Sequence, residues 1–124
     1  MEQRKILIVE DEVSLLKLES ILLTTRGYKV SGVTDGLKAL EEIKKDMPDL
    51  VLLDIMIPGI DGFEVCRRIK ADPVTANLPV VMLTAKKSSA DQTRGIEAGA
   101  DAYITKPFKS AKIIEIVEEL LRKE

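Results

Sequence analysis

The chain has 124 residues, 45% of them hydrophobic and 32% charged, which is typical of a single ordinary globular domain. Its 19 basic residues nearly offset its 21 acidic residues, and the net charge of -2 excludes a broad attraction to nucleic acid or to an anionic membrane. Because there is no histidine, the sequence also excludes histidine-based triads, histidine metal ligands and an internal phosphohistidine relay.

The apolar runs of the sequence are short. The longest, such as residues 6–9 and 50–53, fall far below the roughly 20 residues that a membrane-spanning helix needs. Residues 1–5 reach the first apolar run too soon for a signal peptide. We therefore expect a cytoplasmic protein that does not contact a membrane.

Five short segments rich in valine, isoleucine and leucine predict five strands, at residues 5–10, 28–33, 49–54, 79–84 and 101–105. Several are too short for helices. Their low polar content is typical of strands that are buried on both faces of a parallel sheet.

Apolar residues recur at helical spacing between these strands. Thr34 and Asp35 suit a helix N-cap, and Gly27 and Gly99 suit helix C-termini, with a fourth helix expected over about residues 89–98. The apolar stripes of the other four helices are Leu15, Leu18 and Leu22; Leu37, Leu40 and Ile43; Phe63, Cys66 and Ile69; and Ile113, Val117, Leu120 and Leu121. The only cysteine lies in the third stripe, which predicts a buried small hydrophobe rather than a reactive thiol.

Strands that alternate with helices in this way predict right-handed crossovers and an open parallel sheet with helices on both faces. The expected fold class is therefore α/β, doubly wound, with five βα units. We find no linker or low-complexity stretch, and we expect one domain over residues 1–124.

Polar side chains follow the predicted strands at their carboxyl ends, which is the expected ligand site of an open parallel sheet. In chain order they are Glu10, Asp11 and Glu12, then Asp54, then Thr84, and finally Thr105, Lys106 and Pro107. Each one alone is typical of an ordinary turn or surface residue. Their shared position at one edge of the sheet indicates a site instead.

The chemistry of this set favours Mg2+ and a phosphate. Mg2+ binds through one or two carboxylates and keeps room for waters and substrate oxygens, so Asp11 and Asp54 are the natural direct ligands. A carboxylate can attack phosphorus to form an acyl phosphate. The Lys106 ammonium and the Thr84 hydroxyl would then contact the oxygens of the transferred group.

Four blocks of the sequence, ILIVEDE, PDLVLLDIMIPGIDG, PVVMLTA and GADAYITKPF, resemble bacterial response-regulator receiver domains, including chemotaxis regulators of two-component signalling. They occur in the family's order and span essentially the whole chain. The resemblance implies a flavodoxin-like strand order of 2-1-3-4-5.

The resemblance also implies a role for individual residues. Glu10 and Asp11 would be the acidic pair, Asp54 the phosphoacceptor and Lys106 the lysine of the site. The backbone carbonyl of Met56 would join Glu10, Asp11 and Asp54 around the Mg2+ cofactor.

Further positions match the family's switch and its cis peptide. Thr84 would be the switch hydroxyl, Tyr103 the switch aromatic, and the bond between Lys106 and Pro107 a cis peptide. Met56 and Lys86 flank the phosphoryl group where family members often carry polar or acidic side chains. With neither a carboxamide nor a carboxylate there, we expect slow self-dephosphorylation.

As partners, the resemblance implies a sensor histidine kinase or histidine phosphotransfer protein that donates the phosphoryl group, and a downstream protein target or output domain. The output surface would comprise the fourth helix, the fifth strand and the fifth helix. The chain would not bind nucleic acid directly, and it would catalyse only its own phosphorylation and dephosphorylation. No effector segment follows the fifth helix, so we expect a stand-alone regulator or one domain of a larger one.

Three other interpretations compete. A haloacid-dehalogenase-type phosphatase requires a second aspartate two residues after the first, where this chain has Met56. A flavodoxin-like cofactor carrier requires a glycine-rich or hydroxyl-rich phosphate loop after the first strand, where this chain has an acidic turn. A degenerate receiver, acting as a docking module without phosphorylation, would keep the fold and lose the site, but all the matching site positions are intact.

Overall fold

The structure is a computed structural model that describes residues 3–84 and 89–122. Within these residues, five strands alternate with five helices. In chain order they are β1 (Lys5–Val9), α1 (Val13–Thr24), β2 (Lys29–Val33), α2 (Gly36–Lys45), β3 (Leu50–Asp54), α3 (Gly62–Ala71), β4 (Val80–Thr84), α4 (Ser89–Glu97), β5 (Ala102–Thr105) and α5 (Ser110–Arg122).

The five strands form one parallel sheet in the order β2-β1-β3-β4-β5. The predicted doubly wound α/β fold and its strand order are confirmed. The order reverses between β1 and β3, where Val9 lies opposite Leu53. The helix that follows β1 packs on one face of the sheet, and the helix that follows β3 packs on the other. A crevice therefore opens beyond the carboxyl ends of these two strands.

An apolar cluster packs on each face of the sheet. On one face, α2 and α3 contribute Ile43, Phe63 and Ile69. On the other face, α1 and α5 contribute residues such as Leu23 and Val117. The helices thus cover both faces of the three central strands, and they leave the carboxyl edge of the sheet free for polar side chains.

Burial of the strands departs from the sequence prediction at the edges of the sheet. Strands β3 and β4 are buried along their whole length, whereas β2 is exposed at Lys29, Ser31 and Gly32. An edge strand has a neighbour on one side only, so the helices shield it less completely. The prediction that every strand is buried on both faces is therefore wrong for β2 and for most of β5.

The sequence prediction misplaces part of the buried face of α1. Leu15 and Leu22 of the predicted stripe are half-buried, but Leu18 is 56% exposed, and the fully buried residues of the helix are Glu19 and Leu23. Seven of the 12 residues of α1 are aliphatic, so apolar spacing does not select one face. Packing on the sheet selects the buried side of this helix.

The predicted helix ends and the predicted cysteine environment agree with the structure. The side chain of Asp35 accepts a hydrogen bond from the Lys38 N–H at 2.8 Å and caps α2. Gly27 and Gly99 adopt positive φ just after α1 and α4. Cys66 is fully buried, and burial raises the pKa of its thiol to about 11.

No helix within residues 3–84 and 89–122 is both long enough and apolar enough to cross a lipid bilayer.

Gly62, the first residue of α3, lies directly against the end of β3. A Cβ at this position would lie 2.5 Å from the Asp54 carbonyl oxygen and 2.7 Å from the Ile55 Cα. The Gly62 N–H also donates a hydrogen bond to the Ile55 carbonyl at 2.9 Å. Only glycine lets α3 approach the backbone that carries Asp54 this closely.

We expect Gly62→Ala to destabilise the fold by about 1–3 kcal/mol, because the added methyl group overlaps backbone that cannot move without shifting β3. Urea denaturation measures the loss, and amide chemical shifts of residues 54–57 should move. Gly27→Ala is the matched control, because Gly27 has a positive φ but no atom within 4 Å of an added Cβ. It should lose stability while leaving those shifts unchanged; equal shifts in both variants would contradict the contact.

Candidate functional site

Glu10 follows β1 directly and is only 2% exposed. Its N–H donates to the Val33 carbonyl at 3.1 Å, which continues the hydrogen bonding of the sheet by one residue. Its carboxylate turns toward the crevice, where Oε2 accepts from the Glu12 N–H at 3.2 Å. The sheet therefore fixes a buried carboxyl at the carboxyl end of β1.

Asp54 is the last residue of β3 and is 6% exposed. Its Oδ1 accepts a hydrogen bond from the Met56 N–H at 3.0 Å, which fixes the orientation of the carboxylate. The Met56 side chain itself is exposed. The backbone after β3 thus holds Asp54 in one direction at the edge of the sheet.

Lys106 joins these two carboxylates from the loop after β5. Its Nζ lies 2.7 Å from Asp54 Oδ2 and 3.2 Å from Glu10 Oε1. Its backbone N–H donates to the Thr84 carbonyl at 2.7 Å, and the peptide bond to Pro107 is cis. One ammonium group therefore bridges the ends of two neighbouring strands.

Carboxylate oxygens of Glu10, Asp11 and Asp54 all lie within 4.8 Å of one another. Asp11 is exposed, whereas the other two are buried. Three carboxylates beside one ammonium leave a surplus of negative charge, and hard oxygen donors at this spacing fit a small divalent cation such as Mg2+. The donor set therefore fits the cofactor that the sequence predicts.

The environment of the site raises two pKa values. Burial and the neighbouring charge of Asp54 raise the pKa of Glu10 to about 7. Burial opposes ionisation of Lys106, but its hydrogen bond to Asp54 and the charges of Asp54 and Glu10 outweigh that effect and raise its pKa. Lys106 thus remains a cation near neutral pH, while Glu10 is only partly ionised there, and an added positive charge would favour its ionised form.

A family model of the response regulator receiver domain matches residues 6–118. The chain belongs to this family. DNA-binding response regulator MtrA of Mycolicibacterium paratuberculosis is 42% identical over 98% of this chain but only 52% of its own length. This receiver domain therefore spans about half the length of such curated relatives.

Solved structures agree with this assignment. A putative response regulator from Chloroflexus aurantiacus superposes with a TM-score of 0.93 at 35% identity, covering 98% of this chain and 99% of that one. The receiver domain of sensor histidine kinase PA1611 from Pseudomonas aeruginosa gives 0.89 at 30% identity, covering 97% and 98%. That structure has a magnesium ion coordinated in its active site cleft.

In the receiver domain, Thr84 lies on β4, the strand next to the one that carries Asp54, and Tyr103 lies on β5, one strand further away. Thr84 ends β4, is fully buried and lies opposite Thr105. Tyr103 is half-buried on β5, with its ring against Gly95 of α4, where an added Cβ would lie 2.9 Å from the ring. Lys86 lies outside the described residues.

Sequence reasoning missed one ionisable residue near the site. Glu19 on α1 is 1% exposed, and neither of its carboxylate oxygens has a hydrogen-bond partner. It lies between Leu16 and Leu23 at helical spacing, so the buried face of α1 includes a carboxyl where the sequence pattern suggested exposure. A predicted stripe that included Leu16 and Leu23 would have revealed it.

We expect Lys106→Met to destabilise the receiver domain by about 1–3 kcal/mol without divalent cations at pH 7.5. The change leaves two buried carboxylates without their cation, and protonation of Glu10 limits the loss. Urea denaturation measures the effect, and saturating Mg2+ should restore more stability to the variant than to the wild type.

Lys109→Met is the control for Lys106→Met, because Lys109 is an exposed lysine three residues later. It should change stability by less than about 0.5 kcal/mol. Equal losses in the two variants would show that the Lys106 ion pairs do not stabilise the site.

Proposed function

We propose that Asp54 accepts a phosphoryl group from the phosphohistidine of a sensor histidine kinase or histidine phosphotransfer protein, with Mg2+ as cofactor. One observation carries this proposal. The Asp54 carboxylate is buried at the end of β3, oriented by the Met56 N–H, and lies beside the Lys106 ammonium and the Glu10 and Asp11 carboxylates. This set combines a nucleophile, a cation and metal ligands.

In the proposed transfer, an Asp54 carboxylate oxygen attacks phosphorus in line with the leaving imidazole nitrogen. An O–P bond forms as the N–P bond breaks, and the departing nitrogen keeps the electron pair. Lys106 moves from the carboxylate to a phosphoryl oxygen, over which negative charge is spread. The Thr84 hydroxyl donates to a second phosphoryl oxygen.

The Mg2+ site would comprise carboxylate oxygens of Glu10, Asp11 and Asp54 with the Met56 backbone carbonyl. When bound, Mg2+ supplies positive charge to the phosphoryl oxygens and offsets repulsion from the carboxylates. The magnesium ion in the cleft of the PA1611 receiver domain, which is 30% identical to this chain, supports this assignment.

We further infer that phosphorylation switches the surface formed by α4, β5 and α5, which contacts a downstream protein or an output domain. The Thr84 hydroxyl would move toward the phosphoryl group and open space for the Tyr103 ring, which already packs against Gly95 of α4. The phosphoryl group thereby shifts an equilibrium between two arrangements.

The same proposal covers the setting of the domain. The receiver extends over residues 1–124, acts in the cytoplasm, does not bind nucleic acid directly and catalyses only its own phosphorylation and dephosphorylation. A degenerate receiver that acts only by docking is not favoured, because Lys106 still pairs with both Asp54 and Glu10.

Incubation with acetyl phosphate and Mg2+ should add one phosphoryl group to the chain, on Asp54, because its carboxylate is the proposed nucleophile. Intact-protein mass spectrometry measures the addition, and hydroxylamine should remove it, as expected for an acyl phosphate. EDTA should abolish labelling, and Asp54→Asn should reduce it by at least tenfold.

Asp72→Asn is the control for Asp54→Asn, since Asp72 is an exposed aspartate just after α3. It should be labelled as readily as the wild type. Wild-type labelling of Asp54→Asn would reject Asp54 as the phosphoacceptor, and no labelling of the wild type would favour the docking interpretation.

Phosphorylation should change amide chemical shifts on α4, β5 and α5 as well as in the loops beside Asp54. Thr84→Ala should keep the changes beside Asp54 but lose most of those on the distant surface, because no hydroxyl responds to the phosphoryl group. Thr24→Ala, at the exposed end of α1, should behave as the wild type. Changes confined to the loops in the wild type would contradict the switch.

A further inference from the structure

Glu19 is unusual among the described residues because its carboxyl is buried without any partner. Both oxygens are enclosed, neither accepts nor donates a hydrogen bond, and the residue is 1% exposed. An ionised carboxylate in such a place would lose its hydration and gain nothing in return. The geometry therefore favours the neutral, protonated acid.

The surroundings of Glu19 are apolar. Leu16 and Leu23 lie one turn before and one turn after it on the same face of α1, and both pack in the cluster between α1, the sheet and α5. The α5 residues in this cluster include Ile113 and Val117. Strand β2 contributes Val30.

The charged groups that act on Glu19 belong to the phosphoryl site and its flank. The pKa of Glu19 is raised to about 8, mainly by burial and next by the charge of Glu10. The charges of Asp54 and Glu12 also raise this pKa, whereas the charge of Lys106 lowers it. No hydrogen bond joins the Glu19 carboxyl to any of these groups. The site therefore acts on Glu19 through charge and not through a hydrogen bond.

We propose that Glu19 is a proton-binding residue coupled to the acidic pocket, so that a divalent cation entering the pocket releases the Glu19 proton. The proposal rests on the cation site of the proposed function. Packing alone does not require a glutamate here, because a leucine would fill this apolar position at no electrostatic cost.

The direction of the coupling follows from charge. Positive charge in the pocket stabilises the ionised form of Glu19 and lowers its pKa, so the proton leaves as the cation binds. By linkage, protons compete with the cation, and cation affinity falls as the pH falls below about 8. The receiver would then load its cofactor less readily in an acidified cell.

Isothermal titration calorimetry with Mg2+, run in two buffers of different ionisation enthalpy, counts the protons released on binding. At pH 7.5 we expect wild type to release at least about half a proton more than Glu19→Gln or Glu19→Leu. Between pH 8 and pH 6, wild-type affinity should fall more steeply than that of either variant, by up to about tenfold per pH unit.

Glu41→Gln is the matched control, because Glu41 is an exposed glutamate on α2. It should release as many protons as the wild type. Glu10 also carries a raised pKa and acts on Glu19 through its charge, so the calorimetric difference measures Glu19 together with any change in Glu10. Carboxyl carbon NMR of wild type provides a second readout, in which the Glu19 resonance should titrate at lower pH once Mg2+ is added.

Equal proton release by wild type and both Glu19 variants, or a Glu19 resonance that does not respond to Mg2+, would overturn the coupling while leaving the cation site intact. Absence of Mg2+ binding to wild type would instead overturn the proposed function and this inference together. If neither variant folds, the NMR titration of wild type decides.

Discussion

Two buried carboxylates from neighbouring strands, Glu10 and Asp54, face the same crevice, and the Lys106 ammonium lies between them at 3.2 and 2.7 Å. Without a positive charge there, the two carboxylates would repel each other in a poorly hydrated space. Lys106 is held at this position because its backbone N–H donates a hydrogen bond to the carbonyl of Thr84, the last residue of β4. The remainder of the site is arranged around this one cation.

The sheet makes this arrangement possible because its parallel strands all end at the same edge. The reversal of strand order between β1 and β3 leaves that edge open at Glu10 and Asp54, and Gly62 lets α3 approach the backbone behind Asp54. The ion pairs of Lys106 are weak evidence for stability, since desolvation offsets much of their attraction. Their role is to hold the Asp54 carboxylate and the Lys106 ammonium together, so that a phosphoryl oxygen can replace the carboxylate as the partner of Lys106.

The fold and the membership of the site were predictable because both depend on where apolar runs stop. Asp54, Thr84 and Lys106 end or follow strands, and strand ends are visible in the sequence. The buried face of α1 was not predictable, because its aliphatic residues surround most of the helix and only packing on the sheet selects a side. Glu19 was missed for that reason. The ion pairs of Lys106 also required coordinates, since side-chain direction beyond a strand end is not encoded in apolar spacing.

The most direct test of the account is a crystal structure of the receiver domain soaked with Mn2+, which resembles Mg2+ in preferring oxygen ligands. Anomalous scattering locates the ion independently of the protein atoms. We predict one strong peak in the crevice, about 2.0–2.4 Å from carboxylate oxygens of Asp11 and Asp54, with Lys106 still beside Asp54. A crevice without a peak at saturating Mn2+, or an ion bound to other residues, would contradict it.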